Sequence, residues 1–359
     1  MNEPTDGNKK FLKDRALGAL LAGAVGDALG APIEFMSIAE IRRQYGPAGL
    51  ADFDASYGRS GGAITDDTQM TLFTLEGLIR ARGGTAPEVS ILQSYLRWLH
   101  TQGVPWHAIA HSPVLPEAEP SGWLIGVPEL HSRRAPGNTC LSALQAATRG
   151  TVGSISTPIN NSKGCGAVMR AAPAGFSATP ADSFELGCRL GALTHGHPCG
   201  YLPAGVLAAV VSLLLGGANL GDALRFAMDL LQQRPAHHET SDALEAAIAL
   251  AARGRPTPED LETLGAGWTG EEALAIAVCA AIAAPDLEAA LLLAVNHSGD
   301  SDSTGAICGN LLGARDGVSA VPSTWLDRLE LRAVIERLAA EAEVATWALR
   351  GGRSAPARP

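Results

Sequence analysis

Two short stretches carry more side-chain oxygen than folding alone requires. Thr65-Asp66-Asp67-Thr68 follows Gly61-Gly62 and leads into an amphipathic pattern from Met70. A helix N-cap needs one oxygen acceptor for its orphan N–H groups. Here four oxygen-bearing residues stand in a row, two of them adjacent carboxylates that repel unless a cation holds them. The second stretch is Gly299-Asp300-Ser301-Asp302-Ser303-Thr304-Gly305, before a helical pattern from about Ala306. Its Asp-x-Asp alternation brings two carboxylates and a hydroxyl within reach of one point. Hard oxygen donors of this kind suit Mg2+, Mn2+ or Ca2+.

Two other readings of the second stretch fail. An EF-hand loop also begins Asp-x-Asp, but its twelfth position requires Glu and Leu311 stands there. The Asp-x-Asp-x-Thr of aspartyl-phosphate phosphatases belongs at the end of a buried parallel strand. The preceding segment, Leu287 to Val295, reads as helix, and no strand-helix alternation surrounds it.

Three weaker constellations accompany these. Gly26-Asp27 leads through Gly30 and Pro32 to Glu34, a carboxylate on a tight turn after a helix end near Leu29. Ser162 to Arg170 holds Gly164 and Gly166, which expose backbone N–H groups suited to a phosphate. Its spacing is neither a Walker A loop nor a Rossmann fingerprint. His195 and His197 sit in one turn at a helix end, where local hydrogen bonding or capping competes with metal ligation.

The elements that must position these groups read as helices joined by short loops. Apolar residues recur at three- and four-residue spacing over Leu17–Leu29, Met70–Ile79, Val89–Leu99, Leu141–Ala147, Leu186–Leu193 and Val206–Leu215. The pattern continues over Ala223–Leu231, Leu244–Ala251, Ala273–Ala283, Leu287–Val295 and Leu326–Ala340. No sustained alternation marks a strand. The expectation is an all-α fold in one compact domain over 14–345, with a polar segment at 1–13 and a flexible tail at 346–359. Residues Thr101 to Asn138 break the rhythm with many prolines and with Trp106 and Trp123. A loop this long is often functional, and a partly mobile cover over a substrate groove is expected of it.

Composition narrows the class. The chain has 359 residues, 46% hydrophobic and 5% aromatic, which provides a large core and favours helix. Net charge is −10, and no run of Lys and Arg offers a nucleic-acid groove. The six cysteines form no Cys-x-x-Cys pair, so they read as free buried thiols. The polar start lacks an apolar signal core, and Ala204 to Leu215 is too short to span a bilayer. A cytoplasmic location without membrane or nucleic-acid partners is expected.

Taken in order, the motifs resemble the ADP-ribosylglycohydrolase family. The likeness runs from about Arg15 to Asp316 and rests on five segments. They are G-D-A-L-G-A-P-I-E-F at 26–35, I-T-D-D-T-Q-M at 64–70, G-C-G-A-V-M-R at 164–170, T-H at 194–195 and G-D-S-D-S-T-G at 299–305. The resemblance implies a compact all-helical domain with a binuclear metal centre. In it Thr65, Asp66, Asp67, Asp300, Asp302 and Ser303 would hold two Mg2+ or Mn2+ ions. Glu34 would stand beside the scissile ribose and form the catalytic set with Asp66, Asp67 and Asp302. Gly137, Gly164, Gly166 and Met169 would line the diphosphate and distal ribose, and His195 would contact the ADP-ribose. Cys165 stands near a position where many relatives carry asparagine.

The implied activity is removal of ADP-ribose from a modified protein, leaving free ADP-ribose as product, by a chain acting as a monomer. Breaking a bond at an anomeric carbon develops oxocarbenium character, and Glu34 could serve such a step as base or as acid. The G-D-S-D-S-T form resembles the arginine-specific branch more than the serine-specific one. Release of O-linked ADP-ribose, or an ADP-ribose-binding module without turnover, are the alternatives.

Overall fold

The computed structural model describes residues 6–81, 85–177 and 179–342. Fifteen α-helices occur among them, and no strand beyond two isolated bridges, Ser56 with Arg59 and Gly164 with Thr269. The first seven are α1 (Asp6–Gly30), α2 (Ile38–Tyr45), α3 (Asp66–Arg80), α4 (Pro87–Thr101), α5 (Asn138–Ala147), α6 (Pro180–Ala192) and α7 (Pro198–Leu215). The next four are α8 (Leu220–Gln232), α9 (His238–Ala251), α10 (Pro258–Leu261) and α11 (Gly270–Ala283). The last four are α12 (Leu287–Val295), α13 (Ser301–Asp316), α14 (Ser323–Leu326) and α15 (Arg332–Glu341).

The centre of the fold is the α1/α13 pair, whose backbones touch. A Cβ on Gly26 would lie 2.0 Å from the Gly305 carbonyl oxygen, and one on Gly313 would lie 2.1 Å from that of Gly18. Gly305, Gly309 and Gly313 recur every fourth residue, so they form one face of α13. This contact sets the end of α1 against the first turn of α13: a Cβ on Gly30 would meet the Asp302 backbone nitrogen at 2.3 Å. Small residues along one helix face therefore fix where the carboxylates of both helices meet. Gly309→Val is expected to cost about 1–3 kcal/mol of stability, the usual range for overpacking, because its Cβ would lie 2.0 Å from the Ala22 carbonyl. Gly126→Ala, with open space around its Cβ, should be near neutral. Denaturant unfolding of both variants checks the contrast.

Several expectations need correction. The segment 326–340 is not one helix: α14 ends at Leu326, and Leu331 takes a left-handed backbone with φ 59° before α15 begins. Helix α1 starts earlier than the apolar pattern from Leu17, at Asp6, and runs unbroken past residue 14. The helices expected from Met70 and Ala306 start earlier, so both aspartate motifs form helical first turns. Helix α2 was not anticipated, although Ser37 and Glu40 form a capping box at its start. The tail at 346–359 lies outside the described residues. Helix α7, 18 residues of high hydropathy, is long and apolar enough to cross a membrane. It is 78% buried against the other helices, as expected of a central core helix.

Candidate metal and ADP-ribose site

The N-termini of α3, α5 and α13 converge on one cavity of about 490 Å³. Helix N-termini carry partial positive charge and favour anions, so three of them facing one cleft offset part of the acid gathered there.

Helix α3 begins with Thr65 as N-cap, its side chain accepting the Asp67 N–H at 3.3 Å. The strand-like approach to it is held by a buried ion pair. Arg134 pairs with Glu330, donates to the Ile64 carbonyl at 2.8 Å, and its own carbonyl accepts the Asp66 N–H at 3.2 Å. Glu330 in turn accepts the Ile64 N–H at 3.2 Å. Asp27, on α1, accepts the backbone N–H groups of Thr65 and Thr68 and the Thr68 hydroxyl, tying α1 to the start of α3.

The predicted site residues can now be placed. Glu34, Asp66, Asp67, Gly137, Gly164, Gly166, Met169, His195, Asp300, Asp302 and Ser303 all line the cavity. Thr65 does not; it is fully buried behind the wall, with its hydroxyl 3.3 Å from Asp67 Oδ2. His197, the other histidine of its turn, is not in the cavity. It caps α7 by accepting the Cys199 N–H at 3.1 Å, and the nearby Glu239 carboxylate is paired with Lys163.

The expected tryptophan cover fails. Neither Trp106 nor Trp123 lines the cavity. The Trp106 indole N–H reaches the Ala118 carbonyl at 3.1 Å, and that of Trp123 reaches Glu341 at 2.9 Å, with Arg337 over its ring. Both indoles staple the 101–138 stretch to itself and to α15. Only its last residues, 135–138, reach the wall.

Four residues of the site were not assigned a role from sequence. Asp27 was noted only as the lead-in to Glu34, yet it is a fully buried carboxylate, and its place in the apolar run Leu20–Leu29 was a signal present in the sequence. Cys165 places its thiol 2.8 Å from Asp300 Oδ2, with the Ser303 hydroxyl 3.6 Å from its sulfur. Phe35 and Trp268 stack at the cavity mouth, and no local pattern announces that pairing.

The acids crowd one another. Oxygens of Glu34, Asp300 and Asp302 lie within 4.8 Å of one another. Burial, then the nearby Asp302, raises Asp27 to about 7 and holds Asp66 and Asp67 well above the usual carboxylate range. Burial and the Asp302 charge do the same to Asp300, and burial with Asp302, Asp300 and Asp66 raises Glu34. Asp67 Oδ1 and Glu34 Oε2 are buried and accept no hydrogen bond. Such a set cannot ionise together without a cation among it. The donors are nearly all hard oxygens, so the residues fit Mg2+ or Mn2+.

The opposite wall has a different character. His195 is buried, its Nδ1 2.8 Å from the Thr194 hydroxyl. Burial, then the Arg170 charge, lowers it to about 3, so it is a neutral imidazole. Arg170 lies buried behind Gly166, tied to Thr194 at 2.6 Å and stacked over Tyr95. A buried cation behind a glycine-rich turn makes this wall favourable for a phosphate.

Known proteins resemble this chain in sequence and in fold. The ADP-ribosylglycohydrolase family model matches residues 8–353. The ADP-ribosyl-[dinitrogen reductase] glycohydrolase of Rhodospirillum rubrum is 28% identical, over 89% of this chain and 91% of that protein. The ADP-ribosylarginine hydrolase Tri1 of Pseudomonas putida is 25% identical, over 91% of this chain and 77% of that one. A solved ADP-ribosylglycohydrolase-related protein complex superposes with a TM-score of 0.68 at 26% identity, covering 94% of this chain and 99% of that chain. Family model, curated relatives and fold converge, and the chain belongs to the ADP-ribosylglycohydrolase family.

Proposed function

We propose that this protein hydrolyses the N-glycosidic bond of ADP-ribosyl-arginine in modified proteins, using two divalent cations, Mg2+ or Mn2+. The observation that carries this reading is the convergence of Glu34, Asp66, Asp67, Asp300 and Asp302 in one cavity whose other wall suits a diphosphate. Thr65, Asp66, Asp67, Asp300, Asp302 and Ser303 would hold the cations, with Asp27 fixing the backbone beneath them. Bound there, the cations would supply Lewis-acid polarisation of the ribose hydroxyls and of water.

The chain's own residues do the rest. Gly164 and Gly166, and Gly137 at the start of α5, line the part of the cavity where the diphosphate would lie, with no side chain to fill it. His195, neutral and held by Thr194, presents its ring to the same wall. Glu34 stands on the turn after α1, beside Asp302, where its carboxyl can exchange a proton with water or with the leaving nitrogen. Developing positive charge at the anomeric carbon is stabilised by the carboxylates around it.

Arginine linkage rests on two supports. One is the Pseudomonas putida relative, named as an ADP-ribosylarginine hydrolase. The other is chemical: a glycosylated guanidinium is already cationic and leaves as a neutral guanidine, so it asks less of a general acid than a serine alkoxide does. Matched peptides carrying ADP-ribose on arginine or on serine, compared by kcat/KM with Mg2+ present, test it. The arginine peptide is expected to react faster. Faster release from serine would overturn the linkage and leave the hydrolase assignment standing.

A further inference from the structure

Two large rings stand exposed at the mouth of this cavity. Phe35 is 67% exposed and Trp268 is 40% exposed. They stack on each other with centroids 5.3 Å apart and planes 22° from parallel. Exposed apolar surface of this size lowers stability unless something covers it in use.

The Phe35 backbone adds to the cost. Its φ is 71°, in the left-handed region that bulky residues avoid. Strain of this kind persists where surrounding structure enforces it, and it gathers at functional sites. Here the Phe35 N–H donates to the Gly299 carbonyl at 3.3 Å, beside the Asp300 motif. Trp268 is held from the other side: its carbonyl accepts the Cys165 N–H at 3.1 Å. The preceding Gly267, at φ 81°, packs so closely that a Cβ would lie 3.3 Å from Asp300. Both rings are therefore anchored by the segments that carry the carboxylates, and Phe35 directly follows Glu34.

We infer that Phe35 and Trp268 form an aromatic lip that receives the planar guanidinium of the leaving arginine side chain. The inference rests on the arginine-hydrolase reading and deepens it. Three features support this occupant over the adenine end of the substrate. The pair adjoins Glu34 and Asp300, where the scissile bond must lie. No Lys or Arg is among the described residues lining the cavity, and beside the rings stand the Glu34 and Asp300 carboxylates. Guanidinium groups stack on aromatic faces and stay paired with carboxylates at the same time. A serine side chain has neither a plane nor a charge to place against the rings.

Phe35→Ala and Trp268→Ala test the lip, with Phe35→Tyr and Trp268→Phe as variants that keep a ring. Each alanine variant should lower the ratio of kcat/KM for arginine-linked over serine-linked peptide by about tenfold, the scale of a desolvated cation–π contact. The ring-keeping variants should recover most of that ratio. Free ADP-ribose should bind the alanine variants as it binds the wild type. Equal losses on both peptides, or weakened binding of free ADP-ribose, would overturn the lip and place the rings under the nucleotide instead. A second arm needs no turnover. Agmatine, a free guanidinium, should bind the Mg2+- and ADP-ribose-loaded wild type more tightly than either alanine variant, and equal affinities would also overturn the lip. Failure of the parent reading shows elsewhere, in a wild type that releases nothing from the arginine peptide.

Discussion

Asp67→Asn and Asp302→Asn should each reduce kcat/KM for ADP-ribose release by about a thousandfold. A metal centre contributes several kcal/mol to the transition state, and about 1.4 kcal/mol is a factor of ten in rate. The double variant should be little worse than the poorer single. Asp67 lies in the first turn of α3 and Asp302 in the first turn of α13, far apart in sequence, yet they line one cavity and the Asp302 charge is the second cause of the raised Asp67 carboxyl. Groups acting as one unit lose their function once, so their effects do not multiply. Asparagine keeps the shape of aspartate, and the thermal midpoint of each variant verifies folding. A double variant showing the full product of the two losses would mean two independent sites.

Stripped of divalent cations, the protein should become more stable as pH falls from about 7 toward about 4. The sign follows from the carboxyls. Asp27 titrates near 3.8 when unfolded and is raised to about 7 by burial and by Asp302. A raised value means the folded state binds the proton more tightly, so the stabilisation is full below the unfolded value and is lost as pH rises through the folded one. The difference for Asp27 is on the order of 4 kcal/mol, and Asp66, Asp67 and Asp300 shift the same way. Adding Mg2+ at pH 7 should restore stability, by about 2.7 kcal/mol at a hundred times its dissociation constant. Thermal midpoints across this window, with chelator and with Mg2+, check both. A chelated protein that loses stability steadily on acidification would show that these carboxylates are not crowded.

Much of this fold was legible because its helices bury regular apolar faces. Leu287–Val295 came out of the periodicity with its observed bounds, since Asp286 caps it and nothing nearby disturbs the pattern. Leu326–Ala340 did not, because periodicity is blind to a left-handed backbone at one leucine, and the α14–α15 corner turns there. The aspartate motifs were legible because their chemistry is written in adjacent residues. Their helices start earlier than expected because Asp66 and Ser301 belong to first turns, where charge and capping replace apolar spacing.

What could not be read locally is what tertiary contact makes. The Cys165 thiol meets Asp300 across 135 positions, and the Phe35–Trp268 stack depends on two loops meeting over the cavity. The 101–138 stretch was expected to cover the substrate groove because it is long, proline-rich and carries tryptophans. Their indole N–H groups instead found partners in their own loop and on α15, contacts that join residues apart in the sequence.

The most direct test of the account is free ADP-ribose released from an ADP-ribosyl-arginine peptide by protein that is first chelated and then given Mg2+. The account predicts no release from the chelated protein and full turnover on return of Mg2+ or Mn2+. Undiminished release in the presence of chelator would contradict the metal-centred site. Tight binding of the peptide without release in either condition would contradict the hydrolase itself.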